Sequence, residues 1–296
     1  MAKNDGVSRR DLVSLGVGAA AATMLGASRE LSARPSGRSR VVLVRHPEAV
    51  DGDGRPVPAV FRRMLDDGMS ALLDVDAPGA AWSMLFGPDD VVGVKTNVWG
   101  RLRTPPELEE AIVAHLLAAG VDRDDVAVDD RGVRANPVFQ RASAFVNVRP
   151  MRTHHWSGLG TCLKNMIMFV PRPAEYHGDA CATLGAIWHL PELEGKVRLN
   201  ILVMLTPQFH SVGPHSFSDE FVWPYGGLIL GLEPAAVDAV GARIIEARRR
   251  EYFGEDRPLQ PPAHHIRVAD ERYGLGAADP DRIDLVRLGW MENALI

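Results

Sequence analysis

The sequence contains little lysine and little cysteine, and each shortage limits what the protein can be. Only four of the 33 basic residues are lysine, so 29 are arginine. Two cysteines in 296 residues cannot build a disulfide scaffold, and alone they are too few to ligate an iron–sulfur cluster. A net charge of -5 gives no electrostatic reason to expect nucleic acid or an anionic membrane as a partner.

The first 33 residues are typical of an export signal. The segment Ser8–Val13 has the twin-arginine pattern, and an apolar run of 16 residues from Leu12 to Ala27 overlaps its end. That run is shorter than the about 20 residues that span a membrane. We expect residues 1–33 to be a twin-arginine signal peptide and 34–40 to be a linker. An uncleaved signal anchor, or a chance arginine pair before an apolar helix, is the alternative.

The signal predicts a location and one partner. A twin-arginine peptide engages the twin-arginine translocation machinery, so we expect a periplasmic or extracellular protein without a permanent membrane span. In an oxidising compartment, Cys162 and Cys181 could form a disulfide, but they could also ligate a metal or remain buried and inert.

Short apolar segments alternate with helical segments along residues 41–296. The predicted strands are Val41–Val44, Asp90–Lys95, Val126–Val128, Ala144–Val148, Asn200–Leu205 and Gly227–Leu230. Helices are predicted from Pro58 to Leu73, from a Thr104–Glu107 capping box to about Ala119, and from Pro234 to about Arg250. The alternation predicts one α/β domain over residues 41–296, with a mostly parallel central sheet, helices on both faces and a loop-rich insertion from Arg149 to Val197.

Polar side chains follow three of these strands, where open α/β sheets bind their ligands. Lys95 and Asn97 end the second strand, and Asp129 ends the third. The densest polar stretch, Arg152–Asn165, follows the fourth strand. Lysine and arginine side chains can hold a carboxylate or a phosphate, so we expect a small anionic molecule as the ligand.

The candidate residues come mainly from these clusters. The catalytic candidates are His154, Lys164 and Lys95, and the ligand-binding candidates are Asn97, Asp129, Arg152, His155, Asn165 and His177. The hypothesis gives anion binding to Lys95, Arg152 and Lys164. It makes His154 an acid–base group or a metal ligand, and Asn97 and Asn165 orienting groups. We expect Lys95, Asp129, His154 and Lys164 to converge on one cleft.

Histidine is concentrated in one part of the chain, and this raises the question of a divalent metal. Six of the ten histidines lie between positions 154 and 215. The metal-ligand candidates are His154, Cys162, His177, His210 and His215. Their spacing matches no zinc finger and no HExxH motif, so a metal remains an open alternative.

Several of these polar residues also have structural interpretations. Adjacent His154 and His155 would point to opposite sides in a strand, so we expect at most one to face a site. His115, on an apolar helix face, is expected to be a satisfied core residue. Asp238 lies in an otherwise apolar helix and is either buried and paired or on the exposed side.

An ordered set of short motifs resembles a known family. The motifs are Val94-Lys95-Thr96-Asn97, Asn147-Val148, Arg152-Thr153-His154, Cys162-Leu163-Lys164-Asn165, Glu233-Pro234-Ala235-Ala236-Val237-Asp238 and Gly274-Leu275-Gly276. Together they resemble the bacterial and archaeal domain of unknown function 362, from about Val41 to Gly289. Three motifs depart from the family pattern. Members typically have proline at the position of Thr96, lysine at Arg152 and aspartate at Glu233.

The resemblance implies a fold and a site location more than a reaction. Many relatives carry a ferredoxin-like iron–sulfur module, and this chain lacks its cysteines, which argues against such a cluster here. Three functions stay open: an exported enzyme or enzyme-like protein that acts on a small anion with or without a metal, a non-catalytic periplasmic metal- or cofactor-binding or assembly protein, and a redox partner.

Overall fold

The computed structural model describes residues 37–52, 55–211 and 216–296. The export signal, most of the linker and His215 lie outside these residues. The strands and helices belong to one compact unit, Ser39–Ile296. Within the described residues, no helix combines the length and the apolarity needed to cross a bilayer.

Eight strands form one sheet, and most of them are parallel. The strands are β1 Ser39–Arg45, β2 Val92–Lys95, β3 Val126–Asp129, β4 Ala144–His154, β5 Gly158–Gly160, β6 Val197–Gln208, β7 Gly227–Gly231 and β8 Ile283–Gly289. Their order is β3-β2-β4-β6-β7-β1-β8, and β5 pairs with the end of β4. Of these described strands, β7 and β5 alone run against their neighbours. The predicted mostly parallel α/β sheet is therefore confirmed.

Helices cover both faces of this sheet, as the alternating pattern predicts. The α-helices are α1 Pro58–Leu73, α2 Pro78–Leu85, α3 Pro106–Ala118, α4 Pro137–Gln140, α5 Cys162–Asn165, α6 Gly178–Cys181, α7 Pro234–Phe253 and α8 His265–Tyr273. Alternate residues of the strands divide between two buried cores. One core contains α1, α2 and α3, and the other contains α5, α7 and α8.

Several strands are longer than the sequence predicts, β4 and β6 by six residues each. β4 continues past Val148 to His154, and all eleven of its residues are buried. Two arginines and a proline near the centre of this strand interrupt the apolar pattern, so the sequence predicts a loop there. The predicted insertion thus begins with a sheet strand, and short helices fill most of its remaining length.

The predicted capping box at the start of α3 is wrong. Pro105 is the residue before the helix, and no side chain accepts a hydrogen bond from the amides of the first turn of α3. The Thr104 hydroxyl instead accepts a hydrogen bond from the amide of Asn97 (3.1 Å). Thr104 therefore holds the loop that connects β2 to α3.

Candidate functional site

A cavity of about 250 Å³ lies beyond the carboxyl ends of β2, β3 and β4, on the face covered by α5. Strand register explains why polar residues meet there. Lys95 is paired with Asp129 on one side and with Asn147 on the other. The polar side chains that line the cavity include Asn97, Asp130, Arg149, Arg152, His154 and Lys164. The cavity is the ligand position expected for an open α/β sheet.

Lys95 lies behind the cavity wall and is fully buried. Its ammonium group donates hydrogen bonds to Asp130 Oδ1 (2.5 Å), the Thr96 carbonyl (2.7 Å) and Asn165 Oδ1 (3.4 Å). Burial lowers the pKa of Lys95 to about 8, although Asp130 raises it. Three oxygen acceptors, one of them a carboxylate, hold this lysine as a structural cation.

Asp130 is the carboxylate that pairs with Lys95, while the carboxylate of Asp129 points to the turn that follows β3. Asp130 also accepts a hydrogen bond from the amide of Val98 (3.0 Å). Burial raises the pKa of Asp130, but Lys95 and the hydrogen bonds outweigh it and lower the pKa overall. Asp129 accepts hydrogen bonds from the Gly132 amide and the Asn136 side chain, so it stabilises the adjacent turn.

Asparagine side chains connect the strands below the cavity. Asn165 accepts hydrogen bonds from Lys95 and from Asn97 Nδ2 (3.3 Å), and it donates one to Asn147 Oδ1 (2.8 Å). Asn147 in turn donates to Asn200 Oδ1 (2.9 Å). Since Asn97, Asn147 and Asn165 each use both the donor and the acceptor side of the amide, these hydrogen bonds fix the positions of Asn97 and Asn165.

Arg149 is a buried cation of the cavity that the sequence candidates lack. Its side chain is 4 % exposed, and among the described residues its buried Nε has no hydrogen-bond partner. Burial lowers its pKa to about 10, against the attraction of Asp130 and Asp238. An ideal Cβ on Gly160 would lie 2.7 Å from Arg149 Nη2, so the guanidinium occupies the space that this glycine leaves. Leaving a buried Nε without a partner is costly, and an oxyanion bound in the cavity would supply acceptors to this guanidinium.

Arg152 is buried beside Arg149, and its hydrogen-bond partners among the described residues are neutral. It donates to Asn97 Oδ1 (3.1 Å) and to the Leu102 carbonyl (3.4 Å), and its guanidinium carbon lies 4.6 Å from the ring centre of Trp99. Burial and the neighbouring Arg149 lower its pKa. Nε of Arg152 has no hydrogen-bond partner in the same described part of the chain.

Lys164 is the third cation of the cavity, and it is 3 % exposed. Its only side-chain hydrogen bond among the described residues is to the sulfur of Cys181 (3.5 Å). Burial lowers the pKa of Lys164 to about 8, and Arg149 and Arg152 lower it further while Cys181 opposes them. Unlike Lys95, this ammonium group has no carboxylate beside it within the described residues.

His154 lines the cavity as a neutral ring. Its Nδ1 accepts a hydrogen bond from the Trp156 amide (3.2 Å), so the neutral tautomer carries its proton on Nε2. Burial and the nearby cations lower its pKa strongly. This geometry makes His154 a hydrogen-bond donor, since Nε2 could ligate a metal only if the proton moved to Nδ1 and faced the Trp156 amide.

The expectation that His154 and His155 point to opposite sides is wrong. Their rings stack with centres 4.8 Å apart, because β4 ends at His154 and the chain turns at His155. His177 stacks on Trp156 (3.7 Å between ring centres) and also lines the cavity. Trp156 is 43 % exposed, so these rings form an aromatic rim.

The metal-ligand candidates do not assemble into a site within the described part of the chain. No group of three or more histidine, cysteine, aspartate or glutamate side chains there could hold a metal ion. His210 contacts Arg249 (3.0 Å from Nη1), and Cys162 is fully buried at the start of α5. His215 lies outside the described residues. Metal binding stays a prediction from composition.

Asp238 is buried and holds α5 in place. Its two carboxylate oxygens accept hydrogen bonds from the amides of Cys162 and Leu163 (both 2.9 Å). Burial raises its pKa to about 6 against these hydrogen bonds. Through these hydrogen bonds Asp238 positions Lys164 and Asn165, which the short helix α5 carries.

Cys162 and Cys181 are both free thiols in this structure.

The expected convergence is thus partial. Lys164 and His154 line one cavity, and Lys95 lies behind its wall. Asp129 is bonded to the adjacent turn and does not line the cavity. The sequence candidates omit Asp130, Arg149 and Trp99. Strand alternation from Asn147 would have indicated Arg149, had β4 been predicted to its full length.

Comparison with known proteins adds one finding. A family model described as Domain of unknown function (DUF362) matches residues 122–243, which include β4, α5 and most of the cavity. The resemblance expected from the ordered motifs is confirmed over those residues. Searches of curated proteins and of solved structures gave no significant match.

Proposed function

We propose that this chain binds a small anion, with a carboxylate or phosphate group, in the cavity beyond β4. The observation that carries the proposal is Arg149, a buried arginine at the cavity whose Nε has no hydrogen-bond partner among the described residues. An oxyanion would supply the missing acceptors, and arginine can bind such a group through two parallel hydrogen bonds.

The electrostatics around Arg149 support the same ligand. Arg152 and Lys164 are also buried at the cavity, while Asp130, a carboxylate that lines it, is already paired with Lys95. Burying like charges together is unfavourable, and a bound anion relieves it. His154 adds a neutral donor. This environment favours binding over acid–base catalysis by the His154 ring.

The volume of the cavity matches a small ligand. About 250 Å³ holds roughly eight waters, at about 30 Å³ of liquid volume each. A ligand of roughly five to eight non-hydrogen atoms, about one for each displaced water, fits this space. Phosphate and small mono- or dicarboxylates are of this size.

We include export in the proposal. Residues 1–33 would direct the domain 41–296 to the periplasm or the exterior, and the twin-arginine pattern at Ser8–Val13 supports this. The anion would then be one that the protein meets outside the cytoplasm.

Calorimetric titration with malonate, inorganic phosphate and malonamide tests the proposal. Malonamide has the shape of malonate without its charge, so we expect heat from the two anions only. Arg149→Gln and Lys164→Gln should each weaken malonate binding by about tenfold or more, since a charged hydrogen bond contributes about 1.5–3 kcal/mol.

Matched controls are Arg123→Gln and Lys196→Gln, which change the same residue types outside the cavity. We expect both to bind malonate like the unchanged chain. Equal binding of malonamide, or undiminished malonate binding by Arg149→Gln, would overturn the proposal. To separate an enzyme from a carrier, the bound anion is recovered after incubation and its mass compared with that of the anion supplied.

A further inference from the structure

Lys164 differs from a simple anion-binding lysine in its surroundings. The residue is 3 % exposed, yet it lines the cavity, so a bound ligand can reach it. The sulfur of Cys181 is the only hydrogen-bond partner of Nζ among the described residues, and sulfur is a weak acceptor. No described group beside Nζ fixes it as an ammonium in the way that Asp130 fixes Lys95.

The groups around Lys164 suit a ligand with a carboxylate next to a carbonyl. Arg149 and Arg152 lie close enough to Lys164 to act on its charge, and they offer the donors that a carboxylate needs. A carbonyl carbon attached to that carboxylate would then face Nζ. A neutral lysine amine is a usual nucleophile toward such a carbon.

We propose that Lys164 forms an imine with a small 2-oxo acid held by Arg149 and Arg152. This deepens the anion-binding proposal and rests on it. The nitrogen lone pair of the neutral amine attacks the carbonyl carbon, and a C–N bond forms as the C–O π bond breaks. The carbonyl oxygen leaves as water with the two protons of the amine, which gives a C=N bond and no change in oxidation state.

The acidity of Lys164 agrees with this role. Burial brings its pKa to about 8, so about a tenth of the side chains carry the neutral amine at pH 7. The corresponding fraction for a lysine in water is smaller by about two orders of magnitude. Arg149 and Arg152 would stay charged and hold the carboxylate.

Reductive trapping tests the proposal, and because the chain has only four lysines, the modified residue is easy to identify. The full-length protein is incubated with pyruvate and cyanoborohydride, whose hydride converts the imine to a stable secondary amine. Intact mass and peptide mapping then locate the product among Lys3, Lys95, Lys164 and Lys196. We expect one adduct, on Lys164, forming at least about tenfold faster than with neutral hydroxyacetone.

The controls separate the covalent step from binding. Lys164→Arg keeps the charge and should lose the adduct, whereas Lys196→Gln should keep it. Malonate, which has no ketone, should compete with trapping. An adduct spread over the lysines, or one that Lys164→Arg retains, would overturn the proposal.

Failure of the two proposals can be told apart. If malonate binds by calorimetry but pyruvate leaves no adduct on Lys164, the imine is wrong and anion binding stands. If neither malonate nor pyruvate binds and no adduct forms, both proposals are wrong.

Discussion

Lys95 and Lys164 are two buried lysines on the same side of one sheet, and their hydrogen-bond partners differ. Lys95 donates to three oxygens, one of them the Asp130 carboxylate. Among the described residues, Lys164 donates only to a sulfur, and it faces two arginines. Lys95 is therefore a cation that stabilises the fold, whereas Lys164 remains available to a ligand. Two of the four lysines of the chain, Lys95 and Lys164, therefore lie at the same cavity with different surroundings.

Replacing Lys95 and replacing Lys164 should have different effects on the free energy of unfolding. Lys95→Met leaves Asp130 buried without its partner, so we expect a loss of about 3–5 kcal/mol in the free energy of unfolding. Lys164→Met removes a buried cation that has no carboxylate partner among the described residues, so we expect a change within about 1 kcal/mol or a gain. Denaturant unfolding without added anions measures both.

The comparison would fail if the two variants lost similar stability. Lys196→Met serves as the control for replacing a lysine by methionine outside the cavity, and we expect it to unfold like the unchanged chain.

The pH dependence of stability should reveal Lys164 directly. Its pKa is about 8 in the folded chain and 10.5 when unperturbed, so between these values the unfolded chain binds more protons than the folded one. Stability contributed by this group therefore rises as the pH rises from about 8 to 10.5, by up to about 3 kcal/mol. We measure it as the difference between the unchanged chain and Lys164→Met at each pH.

Taking this difference removes the contributions of groups that titrate in the same range without contacting Lys164, such as Lys95, while that of its partner Cys181 stays in the difference. Saturating malonate should flatten the difference, because a bound anion favours the charged ammonium. A difference that falls or stays level between pH 8 and 10.5 would contradict the assignment.

Gly160 gives a way to move Arg149 without removing its charge. Alanine there would bring a Cβ to within 2.7 Å of Arg149 Nη2, so the guanidinium must shift. We expect Gly160→Ala to bind malonate about tenfold more weakly, which is the loss of about one charged hydrogen bond. Stability should fall by about 1 kcal/mol or less, because only the far end of a flexible side chain moves.

Gly79→Ala is the matched control, since an added Cβ there meets no atom within 4 Å. Unchanged malonate affinity in Gly160→Ala would mean that Arg149 does not contact the anion.

The sequence predicts the sheet better than the cavity, for a physical reason. Continuous apolar runs mark β1, β2 and β7 because both faces of those strands are buried in hydrocarbon. The pattern fails along β4, where buried polar residues such as Arg149 face the cavity instead of hydrocarbon. Local polar density in the sequence does indicate Asn97, Lys164 and Asn165.

The remaining differences at the site depend on orientation that no local pattern contains. Asp129 ends β3 and Asp130 follows it, yet one carboxylate accepts hydrogen bonds within the adjacent turn and the other pairs with Lys95. The pairing of Lys164 with Cys181 depends on how the segment between them returns Cys181 to α5. Both facts require the tertiary structure.

The smallest expected effect concerns the sulfur next to Lys164. In Cys181→Ser a hydroxyl replaces a weak sulfur acceptor, so the ammonium should be stabilised and its pKa should rise by about half a unit. Labelling lysine at 13Cε gives a four-lysine NMR spectrum in which Lys164 can be titrated, with Lys95 as the internal reference. Trapping by pyruvate at pH 7 should slow by about threefold, because fewer amines are neutral. A Lys164 resonance that titrates identically in both chains would show that Cys181 leaves the amine unaffected, and that burial beside Arg149 and Arg152 alone sets its acidity.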